Sequence, residues 1–227
     1  FVSLILVACR VMTRRRVAMA EVRQLSFEEK YLMARDAEER TRKVIIPFAE
    51  EHLGERPIIT LKRRWEAAIK LIPRDATPEQ QYEIAYENWI STLQTSYDLV
   101  REMMGEPGVE ELKARQIQAL QEGDGATKVP FFFGLYKALA PGAAFKKSAS
   151  RLIEQMQWFT PFTVQELNDK RAVLEVARCR ILEHERANDI CDIACRQVYP
   201  SWAANEFGIA LRFNRQNGGC IATLEPM

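Results

Sequence analysis

Between Ser26 and Leu53, apolar side chains return every three to four residues: Phe27, Tyr31, Leu32, Ala34, Ala37, Val44, Ile45 and Phe48. That spacing lays one stripe of an α-helix against a core. "SFEE" supplies the start, with Ser26 as N-cap and Glu29 completing a capping box. Pro47 is expected to kink or end this helix, and Gly54 to close its last turn. "LKRRWEAAIKLI" predicts a short amphipathic helix stopped by Pro73. "TPEQ" is a strong start signal, with Thr77 as N-cap, Pro78 in the first helical position and Gln80 reaching back. The helix that follows carries Ile84, Trp89, Ile90, Leu93, Tyr97, Leu99 and Val100, and is expected to run to about Met104, where "GEPG" breaks it. A further helix is expected from Val109 to about Gln121, then a loop, "EGDGATKVP". After the loop come a dense apolar patch, "FFFGLYKALA", and a helix restarting at Pro141.

The period changes near residue 160. Phe162, Val164 and Glu166 alternate with Thr163, Gln165 and Leu167; Asn168-Asp169 offers a turn, and Val173 to Ile181 is rich in strand formers. A hairpin over Phe162–Ile181 follows. Asp189 to Val198 reads as helix up to Pro200, with a short helical turn after it. Phe207 to Glu225 reads as a second hairpin around Asn217-Gly218, a strong short-range turn signal. Helices followed by ββαββ predict an α+β fold, with a small antiparallel sheet covered on one face by helices. We read residues 26–227 as one α+β domain, helical over 26–158 and sheet-containing over 159–227, with residues 1–25 apart from it.

Composition narrows the classes. The chain is 47% hydrophobic and 28% charged over 227 residues, enough to bury a sizeable core. A net charge of +1 supplies no global field toward nucleic acid or anionic lipid. There is no basic stripe interleaved with aromatics, so no nucleic-acid partner is expected. Neither a Walker A nor a G-x-G-x-x-G motif is present, and no cofactor is expected. "FVSLILVACRVMTRRR" holds an apolar run from Val2 to Cys9 only, against the ~20 residues a membrane span needs, and its arginines follow the run rather than precede it. The expectation is a fragment, or a stretch translated from upstream of a start at Met12 or Met19; the alternatives are a signal or lipid anchor, or a short membrane-associated helix. Residues 1–16 are thus the candidate for membrane or complex association. The aromatic-rich "VPFFFGLY" is a second candidate contact, and core packing is its plainer reading.

The candidate chemistry lies near the C-terminus, in "CRILEHERANDICDIAC" and "NGGC". Cys179, Cys191, Cys195 and Cys220 are four of the five cysteines, and His184 is one of two histidines. An odd, sparse set of cysteines suits free thiols in a reducing cytoplasm better than a disulfide framework. Cys191 and Cys195 share a helix face as i and i+4. Their C-x3-C spacing is not a zinc knuckle, and "HERAN" lacks the second histidine of a zinc helix, so no metal is expected. Buried packing is the plain reading for any one thiol. Against it stand the neighbouring cations, which favour thiolate and hence nucleophilic chemistry. Cys195 is the first candidate nucleophile, with Asp192 a turn earlier and Arg196 beside it. Cys179 is the second, read on a strand between Arg178 and Arg180, and Cys220 opens the last strand. His184 or Glu185 is a candidate base, with Asp192 to orient it. Arg178, Arg180, Arg196 and Arg212 are candidate carboxylate holders, and solvated surface positions are the alternative for each.

These features together, "VARCR", "CDIAC", "VYPSW" and "FGIALRFNRQNGGCIATL", resemble the L-2-amino-thiazoline-4-carboxylic acid hydrolase family over roughly Val173 to Leu224. A looser form of the same ending is similar to 4-vinyl-reductase-like domains, which bind small molecules. The resemblance sets Cys179, Cys195 and Cys220 on the family's recurring cysteines. It departs from the family at Arg196, Gln197 and Tyr199, where an acidic residue is usual, and at Gly218-Gly219, where Gly-Asp is usual. It implies a cysteine-dependent hydrolase acting on a carbon–nitrogen bond of a small cyclic amidine or amide-like substrate. The alternative it leaves is a non-catalytic small-molecule-binding or accessory subunit.

Overall fold

A computed structural model describes residues 22–123, 140–184 and 187–227. The expectations for the N-terminal apolar segment, for most of the "EGDGATKVP" loop, for "FFFGLYKAL" and for Glu185 fall outside the described residues. The chain divides into two compact units, Leu25–Gly123 and, together, Phe1–Gln24 with Asp124–Met227. Among the described residues, no helix is long and apolar enough to cross a membrane.

The first unit is helical: α1 (Phe27–His52), α2 (Glu55–Ala68) and α3 (Pro78–Gly123), the last broken in its backbone at Gly105. The start signals act as the sequence predicts. Ser26 Oγ accepts from the Glu29 N–H and Glu29 Oε2 from the Ser26 N–H, and Thr77 and Gln80 repeat that exchange at α3. Pro47 does not end α1, which continues to His52. The second helix begins earlier than "LKRRW" and stops at Ala68. Beyond it, buried Asn88 holds the Lys70 backbone, accepting from its N–H at 2.9 Å and donating to its carbonyl at 3.0 Å. That pairing satisfies backbone groups a longer helix would have used internally. Ala34, Ile45, Phe48 and Ala49 of α1 are buried, as are Tyr82, Ala85, Tyr86, Ile90 and Tyr97 of α3, along which α1 packs.

The second unit carries the sheet. α4 (Pro141–Met156) begins with Pro141 in the first turn and buries Phe145, Ala149, Leu152, Ile153 and Met156. β1 (Thr163–Leu167) and β2 (Ala172–Val176) form the first hairpin, closed by Asn168, whose Oδ1 accepts from the N–H groups of Lys170 and Arg171. β3 (Ile209–Gln216) and β4 (Gly219–Pro226) form the second. The four strands lie antiparallel in the order β1-β2-β4-β3. Side chains alternate between faces, so Ala172 and Leu174 of β2, Ile209 and Leu211 of β3, and Ala222 and Leu224 of β4 share one face and close a core with α4. Helices followed by an antiparallel sheet packed with helices make the fold α+β.

Between the hairpins lies α5 (Ala187–Ile193), which does not stop at Pro200 as the sequence suggests. It continues through a π turn (Ala194–Val198), an α turn (Tyr199–Trp202) and a second π turn (Ala203–Phe207), ending at Gly208. In the first π turn the Tyr199 N–H reaches back five residues to the Ala194 carbonyl. The changed register lets the helix pass a proline that has no N–H to give.

A candidate thiol site at the end of the sheet

The cysteines are positioned by the turn of the second hairpin. In its register Arg215 lies opposite Cys220, and on the other side Val176 lies opposite Cys220. Directly opposed residues share a face. Cys220 and Arg215 therefore sit on the same face as Ala222 and Leu224, at the end of the core where β4 begins. The chain leaving β2 then crosses the glycine turn at close range. A Cβ on Gly219 would lie 1.9 Å from the Val176 carbonyl oxygen and 2.9 Å from that of Ala177. Only a residue without a side chain fits there. The Cys179 N–H donates to the Gly218 carbonyl at 2.9 Å, which fixes Cys179 beside the turn.

Cys179 is accordingly not a strand residue, as the run of strand formers suggested. Strand β2 ends at Val176 because β4, its partner, begins at Gly219, and no ladder remains for residues beyond. Cys179 leads instead into a 3-10 turn, Arg180–Glu183. Arg178 is exposed and paired with Glu183. Arg180 opens the turn, and the His184 N–H closes it on the Ile181 carbonyl at 3.1 Å.

The helical thiols make the second half. Cys191 and Cys195 are joined by a side-chain hydrogen bond. Cys195 is buried and Cys191 half-buried, and all four thiols of this region are free. The hydrogen bond from Cys195 lowers the Cys191 thiol from its ordinary value to about 7. Arg215 and Arg196 add to that lowering, while burial and the Asp192 carboxylate oppose it. Cys195 is driven the other way, first by donating that bond and then by burial, with Cys191, Cys179 and Cys220 adding repulsion. Cys220 is pushed up to about 12, chiefly by burial and then by Cys179 and Cys191. Each thiol thus feels the others, and Cys191, the more accessible member of the pair, is the one whose ionisation is eased. The buried Tyr199 hydroxyl is raised far above its ordinary value, mainly by burial and then by Cys195, against a hydrogen bond with Trp158.

Of the residues expected from sequence, Cys179, Cys195 and Cys220 come within electrostatic reach of one another. Asp192 and Arg196 adjoin them and pair with each other at 3.2 Å. Arg212 does not join this group. It lies opposite Thr223, on the other face of the sheet, and pairs with Glu225 at 3.5 Å. Sequence reasoning noted Cys191 without ranking it as a nucleophile, and passed over Arg215. Both had a signal: the i, i+4 spacing for Cys191, and for Arg215 the two-residue Asn217-Gly218 loop, which sets Arg215 opposite Cys220 by counting. Among the described residues, no three histidines, cysteines or acids converge to hold a metal ion. Two open clefts, of about 340 and 500 Å³, belong to the helical unit and are lined by none of the cysteines. No family model, curated protein or solved structure matches the chain.

Proposed function

We propose that the chain is a cysteine-dependent hydrolase of a carbon–nitrogen bond in a small cyclic amidine or amide-like substrate, with Cys191 as the attacking thiol. The observation that carries the proposal is the hydrogen bond by which Cys195 supports a Cys191 thiolate beside Arg215 and Arg196. Such a thiolate is the form nucleophilic chemistry needs near neutral pH. The resemblance of Val173 to Leu224 to the thiazoline-carboxylate hydrolases supports the substrate class. In this mechanism the Cys191 sulfur attacks the amidine carbon, a carbon–sulfur bond forms, and the ring carbon–nitrogen bond breaks as its nitrogen takes a proton. Water then cleaves the carbon–sulfur bond, releases the product and restores the thiolate. Cys195 holds the thiolate, His184 and Asp192 are the candidates for the base that activates water, and Arg215 and Arg196 hold a substrate carboxylate. Free thiols on this scale belong in a reducing compartment, and we assign the chain to the cytoplasm.

The test is a panel of cyclic amidine carboxylates offered to single Cys→Ser variants at Cys179, Cys191, Cys195 and Cys220. Cys191→Ser should lose about 10²-fold or more in turnover, the size of effect a nucleophile or its base carries. Iodoacetamide should label Cys191 first, with a midpoint at about pH 7. Full activity in all four variants would end the proposal. The second reading is a small-molecule-binding subunit without turnover, favoured by Cys195 and Cys220 being held as neutral thiols. It predicts that the same compounds raise the melting temperature while no product forms.

A further inference from the structure

We infer that the outer face of the sheet is where a second copy of this chain docks, face to face, about a two-fold axis that runs along the strands. The strand register lays out that face in rows. Arg212 of β3 lies opposite Thr223 of β4, Thr223 opposite Val173 of β2, and Val173 opposite Glu166 of β1. The next row reads Asn214, Ile221, Glu175 and Thr163 in the same strand order. The row on the other side sets Ala210 opposite Glu225, and counting one residue back from Ala172, which faces Leu224, sets Arg171 opposite Glu225. None of these side chains is buried, and that of Arg212 is 77% exposed. Ala172, Leu174, Ala222 and Leu224 alternate with them and turn into the core. Cys220 and Arg215 belong to that core-side face, so the inference stands apart from the hydrolase reading.

The charges on this face choose the partner. In two rows the cation and the acid stand on different strands: Arg212 on β3 with Glu166 on β1, and Arg171 before β2 with Glu225 on β4. An axis along the strands turns the second copy over, so that β3 meets β1 and β4 meets β2. Each row keeps its height under that operation. Arg212 then meets Glu166 of the second copy, Glu225 meets Arg171, and Val173 meets Thr223, every contact being made twice. An axis across the strands, centred on the same row, would instead set Arg212 over Arg212 and Glu166 over Glu166. Opposite charges in one orientation and like charges in the other specify the pairing. The carboxylates also keep partners within their own copy: Glu225 has Arg212 at 3.5 Å, Glu166 accepts from Asn168 at 2.7 Å, and Glu175 accepts from Gln165. Strands about 4.8 Å apart and rows about 6.8 Å apart make a patch of roughly 20 Å on a side. That is the small end of specific interfaces, so the expected dimer is reversible, dissociating at roughly 10–100 µM.

The experiment is sedimentation velocity on the reduced, full chain, at concentrations reaching a decade below and a decade above that range. The expected result is a mass that rises from one chain to two with concentration, and a dimer that weakens as salt is raised. Arg212→Glu sets acid against Glu166 at two places in the dimer and should weaken association about 10-fold or more. Glu166→Arg should do the same by setting cation against Arg212. Both changes in one chain rebuild the pair with its signs exchanged, and association should return to within about threefold of the parent. Urea denaturation of each variant separates a lost contact from a lost fold. A chain that stays monomeric to the highest concentration overturns the inference. So does a dimer that neither single reversal weakens, since its contact would lie elsewhere. A double variant as weak as the single ones, with its fold intact, overturns it too.

Discussion

Gly219→Ala tests whether close packing at the glycine turn builds the thiol site. The added carbon would stand 1.9 Å from the Val176 oxygen and 2.9 Å from the Ala177 oxygen. Both obstacles are backbone, so no side chain can swing away. A relaxed C···O contact is about 3.3 Å or more, so the end of β2 would have to retreat by well over an ångström. That movement breaks the hydrogen bond from Cys179 to Gly218, a contribution of about 1 kcal/mol, and forces repacking of the kind that costs about 1–3 kcal/mol. We expect a loss of about 2–4 kcal/mol in urea denaturation, with the thermal midpoint of the sheet unit lowered by roughly 10 °C or more. Buried Cys179 should become open to alkylation. Gly218→Ala is the control. Its Cβ meets nothing within 4 Å, but its φ of +74° is a left-handed backbone, so the cost is about 1 kcal/mol. If Gly219→Ala were as stable as the parent, or cost no more than Gly218→Ala, the close approach would not hold the site.

Stability should depend on pH through the thiols. The Cys191 value in the fold, about 7, lies below its ordinary 9.0, so its contribution is full above pH 9 and is lost as pH falls through 7. Cys220 is raised to about 12, and its contribution is full below pH 9 and lost as pH rises toward 12. Urea midpoints should therefore climb from pH 7 to 9 and decline above it, and the climb should vanish in Cys191→Ser; a flat profile in the parent over pH 7 to 9 would refute the assignment. In the helical unit, Trp65→Phe removes a buried Nε1–H that donates to the Thr92 carbonyl and Ser96 Oγ, each at 3.2 Å, and also part of a ring stacked under Arg42. Because Ser96 Oγ also donates to the Thr92 carbonyl, neither acceptor is stranded, and the loss should be about 1–2 kcal/mol by denaturant titration; a loss above about 4 kcal/mol would mean the indole anchors more than this packing.

What was legible in the sequence was local. The Ser26 and Thr77 caps are read from four letters each, because a cap is chemistry between residues three apart. The two hairpins follow from alternation and from Asn168 and Asn217-Gly218, whose side chains and backbone freedom make turns without help from the rest of the chain. The end of β2 was not legible, since it is set by where β4 begins, more than forty residues later. Nor was the passage of the helix through Pro200, because a π turn is a change of hydrogen-bond register that no residue spells out. At the site, the candidate cysteines were visible, but their ranking was not. Cys195 carries the better neighbours in sequence, Asp192 and Arg196. In the fold the bond between the two thiols lowers Cys191 and raises Cys195, which burial raises further.

The π turns carry the helix that holds the thiol pair on past Pro200 to Phe207. Up to Pro200 the helix is anchored by buried Ile190, Ile193 and Ala194. Continued to Phe207, it lays Tyr199, Trp202 and Phe207 against the core. These rings stand edge to face in succession, Phe159 to Tyr199 at 5.1 Å, Tyr199 to Trp202 at 6.0 Å and Trp202 to Phe207 at 5.1 Å. Such pairs each contribute about 0.5–1.5 kcal/mol beyond the area they bury. The helix is thereby held from its C-terminal half, and Cys191 feels the charge of Arg215 on β3. Cys220 and Cys179 are fixed from the other side by the glycine turn. The Cys191 thiol is lowered first by the bond from Cys195 and then by Arg215 and Arg196, so its setting depends on the strand that carries Arg215 as well as on its own helix.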